Sequence, residues 1–547
     1  MFRRIPELKV NRHPSYLLKG RAGKDAPQDR EKGDRGFIMA QSSATRREFT
    51  GVMGAAGALG VASMFGTFPV VRANAEAANA EETTGATASD EAVATSGESD
   101  PYANLAEIQQ AEIEAAKAQN RRLDPIKFVT TKSRDELNEM LEDEAVVTED
   151  YTTPGGKVIP AIYLRLRNRI NRCAAGIGSI CSGDDHWDVL MNFYSEEDAK
   201  NILAMPVSRT VTAADYAERC DISEAEAAEI LDDLADRSLI WRIRRSGMAH
   251  YQVMAQIPGY WEWHELWEGV YGTDETMLTF NRGCDSAWGE DNPLASLYRS
   301  MVHVQACDNS VVEGVVPPFC DWEASLDRFD VFAVMPCQCR TKGLNYGTVT
   351  EEDCGRMDTC TSMGEIAEYF ISIGVAKEVT REEARANMRL NVEEGNTIEG
   401  YCTKTGGAYC ACNMKVCLFA NAYKKFGGDV NSFQYVSDFN LAYDKDACIK
   451  CGACQERCPM DAIEADEDGF MVPTAVCFRC GQCAMVCPAG ARKLVPKEKW
   501  ETIERATDLF EDNLSAAQAH MALGGIVDFT GDVEAVRAAV KFQPFAM

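Results

Sequence analysis

Two runs near the C-terminus decide how this chain is read. The first is Cys448-Ile449-Lys450-Cys451-Gly452-Ala453-Cys454-Gln455-Glu456-Arg457-Cys458-Pro459. The second is Cys477-Phe478-Arg479-Cys480-Gly481-Gln482-Cys483-Ala484-Met485-Val486-Cys487-Pro488. Each has the spacing C-x₂-C-x₂-C-x₃-C-P. The short gaps wrap a tight loop round three corners of one bound object, and Pro459 and Pro488 turn the chain away from it. A zinc site would want four ligands as two separated pairs. A disulfide framework would have no use for two matching runs.

Residues 444–495 resemble the two-cluster bacterial ferredoxins, in which three thiolates hold one [4Fe–4S] cube and the fourth Cys reaches across to the other. Carried over residue by residue, the resemblance gives one cluster Cys448, Cys451, Cys454 and Cys487. It gives the other Cys477, Cys480, Cys483 and Cys458. The implied cofactors are two [4Fe–4S] clusters.

At 547 residues the chain has room for several domains. Its apolar content is ordinary for a globular protein, but its formal net charge of −29 is not. Residues 1–75 hold 13 Lys/Arg against 6 Asp/Glu, a surplus of +7 that leaves −36 on the remainder. Such a field repels nucleic acid and anionic headgroups and favours cationic or neutral partners. The 22 cysteines would indicate an oxidising compartment if they were paired, yet eight already have the spacing of cluster ligands.

Thr45-Arg46-Arg47-Glu48-Phe49-Thr50 precedes an apolar Gly/Ala-rich run from Gly51 to Val71, closed by Ala73-Asn74-Ala75. This resembles a twin-arginine signal with a small-x-small cleavage site. The plainer alternative is a buried Gly/Ala helix beside a chance Arg pair. The resemblance implies export of a protein already folded around its cofactors, to the periplasm or the outer face of the cytoplasmic membrane. The apolar run approaches the ~20 residues that span a bilayer, so an uncleaved anchor is a second outcome. Residues 1–38, upstream of Met39, read as a long basic leader or as the product of an early start codon. Residues 76–100 are Ala/Thr/Ser/Glu/Gly without an aromatic residue, the composition of a disordered linker.

The folded part starts near Pro101. Residues 101–195 form an N-terminal helical region, with a helix over 103–121, a turn at Pro154-Gly155-Gly156, and a strand or short helix over 159–170. Residues 196–256 show helices at Glu196–Leu203 and Thr212–Arg219. Ser223-x-x-Glu226 is a capping box opening a third helix to about Ser238. Strands at Ile240–Ile243 and His250–Met254 follow, joined through Ser246-Gly247. Three helices and a hairpin resemble a winged helix. Its third helix carries Glu224, Glu226, Glu229, Asp232, Asp233 and Asp236 against Arg237, the wrong sign for phosphate. The module therefore reads as structural or docking, with no nucleic-acid partner. The aromatic stretch Tyr260-Trp261-Glu262-Trp263-His264-Glu265-Leu266-Trp267 reads as core or interface, with a substrate pocket the sharper alternative. His264 and His303 are candidate ligands or proton donors, though a lone His is more often merely packed or solvated.

Residues 257–440 form a Cys-rich middle domain. Val331 to Met335 has the pattern of a buried strand, which puts Cys337 and Cys339 on the loop at its end. Cys354, Cys360, Cys402, Cys410, Cys412 and Cys417 follow. Here, over roughly residues 190–495, the chain resembles a group of uncharacterised anaerobe iron–sulfur oxidoreductases. They share a winged-helix-like segment, a P-C-x-C-R motif (Pro336 to Arg340), a downstream C…C-x-x-G element (read here at Cys360-Thr361-Ser362-Met363-Gly364), a Cys-rich C-x-C-C-type patch and a two-cluster C-terminus. Their later Cys-rich patch is fuller than Cys410-Ala411-Cys412…Cys417. The expectation is a third Fe–S cluster or other thiolate-bound metal, held first by Cys337, Cys339, Cys354 and Cys360, with Cys410, Cys412 and Cys417 in reserve. Buried free thiols or disulfides are the alternative. Arg340 would stabilise an anionic thiolate cluster or bind an acidic substrate. Cys173, Cys181, Cys220, Cys284, Cys307 and Cys320 lack ligand spacing and read mostly as small buried hydrophobes.

Residues 441–495 are the two-[4Fe–4S] ferredoxin domain and 496–547 a C-terminal helical tail. The tail reads as an amphipathic helix from Lys497 to Leu523, bearing Trp500, Ile503, Leu509, Phe510 and Leu514, and another over 532–541. The fold class is α+β multidomain: a winged-helix-like α/β module, a Cys-rich middle domain and a ferredoxin-like two-cluster domain. The functional expectation is an exported iron–sulfur electron-transfer protein or oxidoreductase, relaying single electrons to an internal site or a partner subunit. Expected partners are the twin-arginine translocase and a redox protein or membrane anchor subunit. No catalytic residue can be named. Two other readings exist. A corrinoid reductive dehalogenase shares the layout but not the irregular second cluster motif. A non-enzymatic Fe–S redox sensor is opposed by the acidic helix. No Gly-rich dinucleotide fingerprint follows a convincing strand.

Overall fold

The computed structural model describes residues 104–173, 184–255, 259, 298–300, 321–417 except 346, 402, 405 and 406, and 439–536 except 475, 476, 478, 498–503, 505 and 525. The signal region, the linker, His264, His303, Tyr260 to Trp267, and Cys181, Cys284, Cys307, Cys320 and Cys402 lie outside those residues.

Helix α1 (Leu105–Gln119) leads into α2 (Arg134–Glu142), which opens on a complete capping box between Ser133 and Glu136. Strands β1 (Tyr151–Thr152) and β2 (Val158–Ile159) pair across the Pro154-Gly155-Gly156 turn, where Gly156 has φ 86°. The segment read as strand or helix is both. β2 ends at Ile159, and Pro160 is the N-cap from which α3 (Ala161–Asn171) begins. Helix α4 (Asp184–Phe193) follows.

The next module has the expected element order. Ser195 and Thr212 cap α5 (Glu196–Leu203) and α6 (Ala213–Cys220) through reciprocal boxes with Asp198 and Asp215. For α7 (Glu224–Asp236) the Ser223 hydroxyl accepts from Glu226 N at 3.2 Å, which is the forward half of the box. Strands β3 (Ile240–Arg245) and β4 (Met248–Val253) pair antiparallel in register. Ser246 and Gly247 between them both have positive φ, 50° and 79°, as a two-residue turn matched to strand twist requires.

The middle of the chain builds a six-stranded antiparallel sheet from β5 (Tyr298–Ser300), β6 (Phe332–Pro336), β7 (Asp358–Met363), β8 (Lys377–Val379), β9 (Thr397–Tyr401) and β10 (Ala408–Cys412). The spatial order is β5-β9-β10-β7-β6-β8. Its helices are α8 (Trp322–Leu326), α9 (Gln338–Asn345), α10 (Glu351–Cys354), α11 (Gly364–Ser372) and α12 (Arg381–Glu393). Side chains alternate across the sheet. Phe332, Met363, Ile398, Tyr409 and Ala411 pack with Ala384, Met388 and Val392 of α12. Met335 and Cys360 join the core that includes Ile366, Tyr369 and Phe370 of α11.

The C-terminal portion pairs β11 (Phe439–Tyr443) with β14 (Arg492–Pro496), and β12 (Ile463–Ala465) with β13 (Met471–Pro473). Between them lie the short helices α13 (Ala453–Arg457) and α14 (Gln482–Met485). The tail helix α15 spans Leu509–Ala522, later than the expected start at Lys497. The Asp508 carboxylate accepts from the amides of Phe510 and Glu511 and fixes the start there. Asp532 likewise caps a helical turn at 533–536.

One buried core runs through Trp187, Tyr194, Trp241, Tyr369, Phe510 and Phe529. The N-terminal helices, the hairpin module, the Cys-rich sheet and the tail therefore share apolar packing. No described helix is long and apolar enough to cross a membrane.

Candidate metal centres

The two C-terminal runs fold as near repeats. In each, the residue before the second cysteine takes a left-handed conformation, Lys450 at φ 59° and Arg479 at φ 55°. The residue after it is a left-handed glycine, Gly452 at φ 79° or Gly481 at φ 83°, which opens α13 or α14. A left-handed lysine or arginine is uncommon. Here it curls the loop so that thiols point inward and amides approach them. Ala462 N donates to Cys458 Sγ and Ala491 N to Cys487 Sγ, both at 3.2 Å, while Arg479 N donates to Cys477 Sγ at 3.4 Å. These bonds set backbone donors against the sulfurs.

The cysteines line two cavities with crossed membership. Cys448, Cys451, Cys454 and Cys487 border one of about 310 Å³. Cys458, Cys477, Cys480 and Cys483 border one of about 340 Å³. Burial pushes the thiols of Cys458, Cys480 and Cys483 up, Cys483 to about 12, while the Tyr443 hydroxyl beside Cys448 holds that thiol below its usual range. Buried Arg492 lies at the first cavity, its guanidinium 4.5 Å from the Tyr443 ring centroid.

A third cavity, of about 410 Å³, lies at one end of the six-stranded sheet and is lined by six cysteines. Strand alternation brings Cys410 and Cys412 to one face of β10, across from Glu399 and Thr397 of β9. Cys360 of β7 lies opposite Met335 of β6. Cys337 starts α9, and its thiol sits at that helix's N-terminus together with Cys339. Cys417 follows the turn after β10, its amide held by Asn413 O at 2.8 Å. The six thiols ring the cavity, near enough to perturb one another's protonation. Donation from neighbouring thiols lowers Cys337 well below the usual range and Cys410 to about 6. Neighbouring thiols and burial raise Cys339, Cys360 and Cys412, and the Cys360 thiol donates to Gln338 Oε1 at 3.8 Å.

The expected ligand set changes accordingly. Cys354 stands apart from this cavity: it ends α10, and its thiol turns to Arg340 O at 3.9 Å. Cys410, Cys412 and Cys417, read as reserves, line the cavity with Cys337, Cys339 and Cys360. Cys173 bonds to Arg169 O at 3.6 Å and is pushed to about 12 by burial, the behaviour of a structural thiol.

Among the described residues no three His, Cys, Asp or Glu side chains are disposed to hold a single metal ion. That holds for all three cavities alike. The thiols border a volume instead of closing on one point, which suits a polynuclear cluster whose iron corners are each held separately. The donor set and the amide-to-sulfur bonds fit iron–sulfur clusters.

The sequence did not disclose the connection between these sites. Gln482, between cavity-lining Gly481 and Cys483, turns away from the second cavity, donating to Asn396 O at 2.8 Å and accepting from Arg457 Nε at 2.9 Å. Arg457 donates onward to Val392 O at 2.6 Å and Glu393 O at 3.1 Å. Arg340, buried, donates to Asn396 Oδ1 at 3.4 Å, to Ala411 O at 3.3 Å and to Arg356 O. The seam runs from the ferredoxin half to the strand that bears Cys410 and Cys412. No pattern marked Asn396, because its role depends on a long-range approach.

Residues 447–491 match the family model of the 4Fe-4S dicluster domain. The chain thus carries an iron–sulfur domain near its C-terminus, and the match supports iron–sulfur cofactor binding there. No curated protein and no solved structure matches the chain.

Proposed function

We propose that this protein is an exported iron–sulfur electron carrier, or the electron-transfer subunit of an oxidoreductase. Two [4Fe–4S] clusters would be held by Cys448, Cys451, Cys454 and Cys487, and by Cys458, Cys477, Cys480 and Cys483. Such clusters supply reversible single-electron chemistry, at potentials set by hydrogen bonds and solvent. The observation that carries the reading is the crossed membership of the two cavities, in which the last cysteine of each run lines the cavity of the other. The chain's own residues prepare the sites: left-handed Lys450 and Arg479 set the loops, amides donate to sulfur, and Arg492 offsets thiolate charge.

The twin-arginine pattern at Arg46 and Arg47 supports export to the periplasmic side, with the translocase as one partner. A redox protein or membrane anchor subunit would be the other. The acidic surface supports the exclusion of nucleic acid. The test is anaerobic purification with iron and sulfide counting and EPR after dithionite. At least eight iron per chain and a reducible chromophore near 400 nm, with interacting S = 1/2 signals, are expected. A colourless preparation without sulfide overturns the reading.

A further inference from the structure

We propose that Cys337, Cys339, Cys360, Cys410, Cys412 and Cys417 hold a third iron–sulfur cluster, built into the end of the six-stranded sheet. The inference goes beyond the ferredoxin reading and does not depend on it, because none of these residues belongs to the C-terminal runs.

Three observations carry it. Six thiols from four separate chain segments border one cavity, as four border each of the two at the ferredoxin-pattern cysteines. All six are free thiols, and all are buried or half-buried. A core that wanted only small hydrophobes would not gather six of them into a ring with buried Gln338 and Glu399 at its edge. Disulfides explain the arrangement less well. Cys410 and Cys412 lie two residues apart on one extended strand, a rise of about 6.6 Å at the far end of what a disulfide tolerates. A zinc ion takes four ligands round one point, whereas six thiols border this one volume.

The surroundings suit an anionic cluster. Arg340 is 1 % exposed and directly follows Cys339 in the chain. Its remaining hydrogen bonds fix it to Ala411, between Cys410 and Cys412, and to Asn396, which Gln482 joins to the second ferredoxin cavity. A buried cation beside a thiol ring lowers the cost of gathering negative charge there. Four thiolates suffice for a cubane, so six can bind one with two in reserve or a larger assembly.

The test is the iron and sulfide content of the full chain, prepared and reconstituted anaerobically. The unaltered protein should carry about twelve iron or more. Cys360→Ser/Cys410→Ser/Cys412→Ser should return it to about eight, with the ferredoxin EPR signals kept. Cys354→Ser, off the cavity, should leave twelve. Replacing the eight ferredoxin-pattern cysteines by Ser should leave about four, which separates failure of this proposal from failure of the ferredoxin reading. About eight iron in the unaltered chain overturns the third cluster. So does extra zinc in place of extra iron, or a triple variant that folds by circular dichroism and keeps its full iron. The count on the unaltered protein stands even if the triple variant does not fold.

Discussion

Replacing Gln482 by Leu should loosen the ferredoxin portion from the Cys-rich sheet without emptying either ferredoxin cavity. The side chain is fully buried, lines neither of those cavities, and makes two strong bonds. Leucine keeps most of the volume and removes both bonds. A stranded buried carbonyl at Asn396 costs ~1–3 kcal/mol, and losing an acceptor from a guanidinium costs ~1.5–3 kcal/mol. Arg457 retains Val392 O and Glu393 O, which places the second cost at its lower end. The sum is about 3 kcal/mol, roughly a hundredfold in a local opening equilibrium. The assay is amide hydrogen exchange across residues 391–397, where Asn396 N is bonded to Asn391 O at 3.0 Å. Exchange there should quicken by about that factor, while iron content and the visible spectrum stay unchanged. Acceleration of less than about threefold would refute the seam, and loss of iron would show that Gln482 supports the cluster instead.

Trp241 is buried against Tyr369, Phe370 and Phe510, with ring centroids 5.3, 6.2 and 5.9 Å away. Trp241→Ala should cost ~3–5 kcal/mol in a denaturant series, as large-to-small core changes do. Tyr369→Phe should cost ~1–2 kcal/mol, because its hydroxyl donates to Ala235 O and Ile240 O, both at 3.1 Å. Burial pushes the Asp198 carboxyl up, but bonds from Arg237 and Ser195 outweigh it and hold it below its usual range. A depressed folded value means stabilisation that is fully present above the unfolded value of ~3.9 and lost as pH falls through the folded one. The urea midpoints of unaltered protein and Asp198→Asn should therefore differ at pH 7 and converge below about pH 4. Arg46→Lys/Arg47→Lys should abolish export of the full chain, read by fractionating cells.

What was legible followed from local rules. The paired cysteine runs, the cap at Ser223 and the Ser246-Gly247 turn are short-range signals, and each has its structural counterpart. The crossed pairing of Cys458 and Cys487 came through a resemblance, not from spacing. Where the chain was misread, the cause was long-range or a competing local bond. Cys354 has the right residue type but ends a helix that carries its thiol away. Cys410 and Cys412 looked too sparse, yet strand alternation puts both on the face that Cys360 shares. The late start of α15 reflects capping by Asp508, which the apolar periodicity of 497–523 did not reveal.

The hairpin module earlier compared to a winged helix gains a physical role from its contacts. A DNA-reading module needs a basic recognition helix free to enter a groove. Here Asp232 and Asp236 of α7 pair with Arg242 at 2.9 and 2.7 Å, and Asp233 pairs with Arg237, which also holds Asp198. Three of that helix's six acidic side chains are thus engaged with the module's own arginines. Its strand β3 packs on α11 through Trp241, and Arg242 reaches Ser372 at 3.0 Å. Helix α11 follows directly on β7, the strand that carries Cys360. The module therefore braces the strand under the third cavity, and releasing it to meet another macromolecule would break the core that keeps six thiols together. That coupling argues against a redox sensor whose winged helix swings free. It favours a scaffold that holds the thiols in fixed positions.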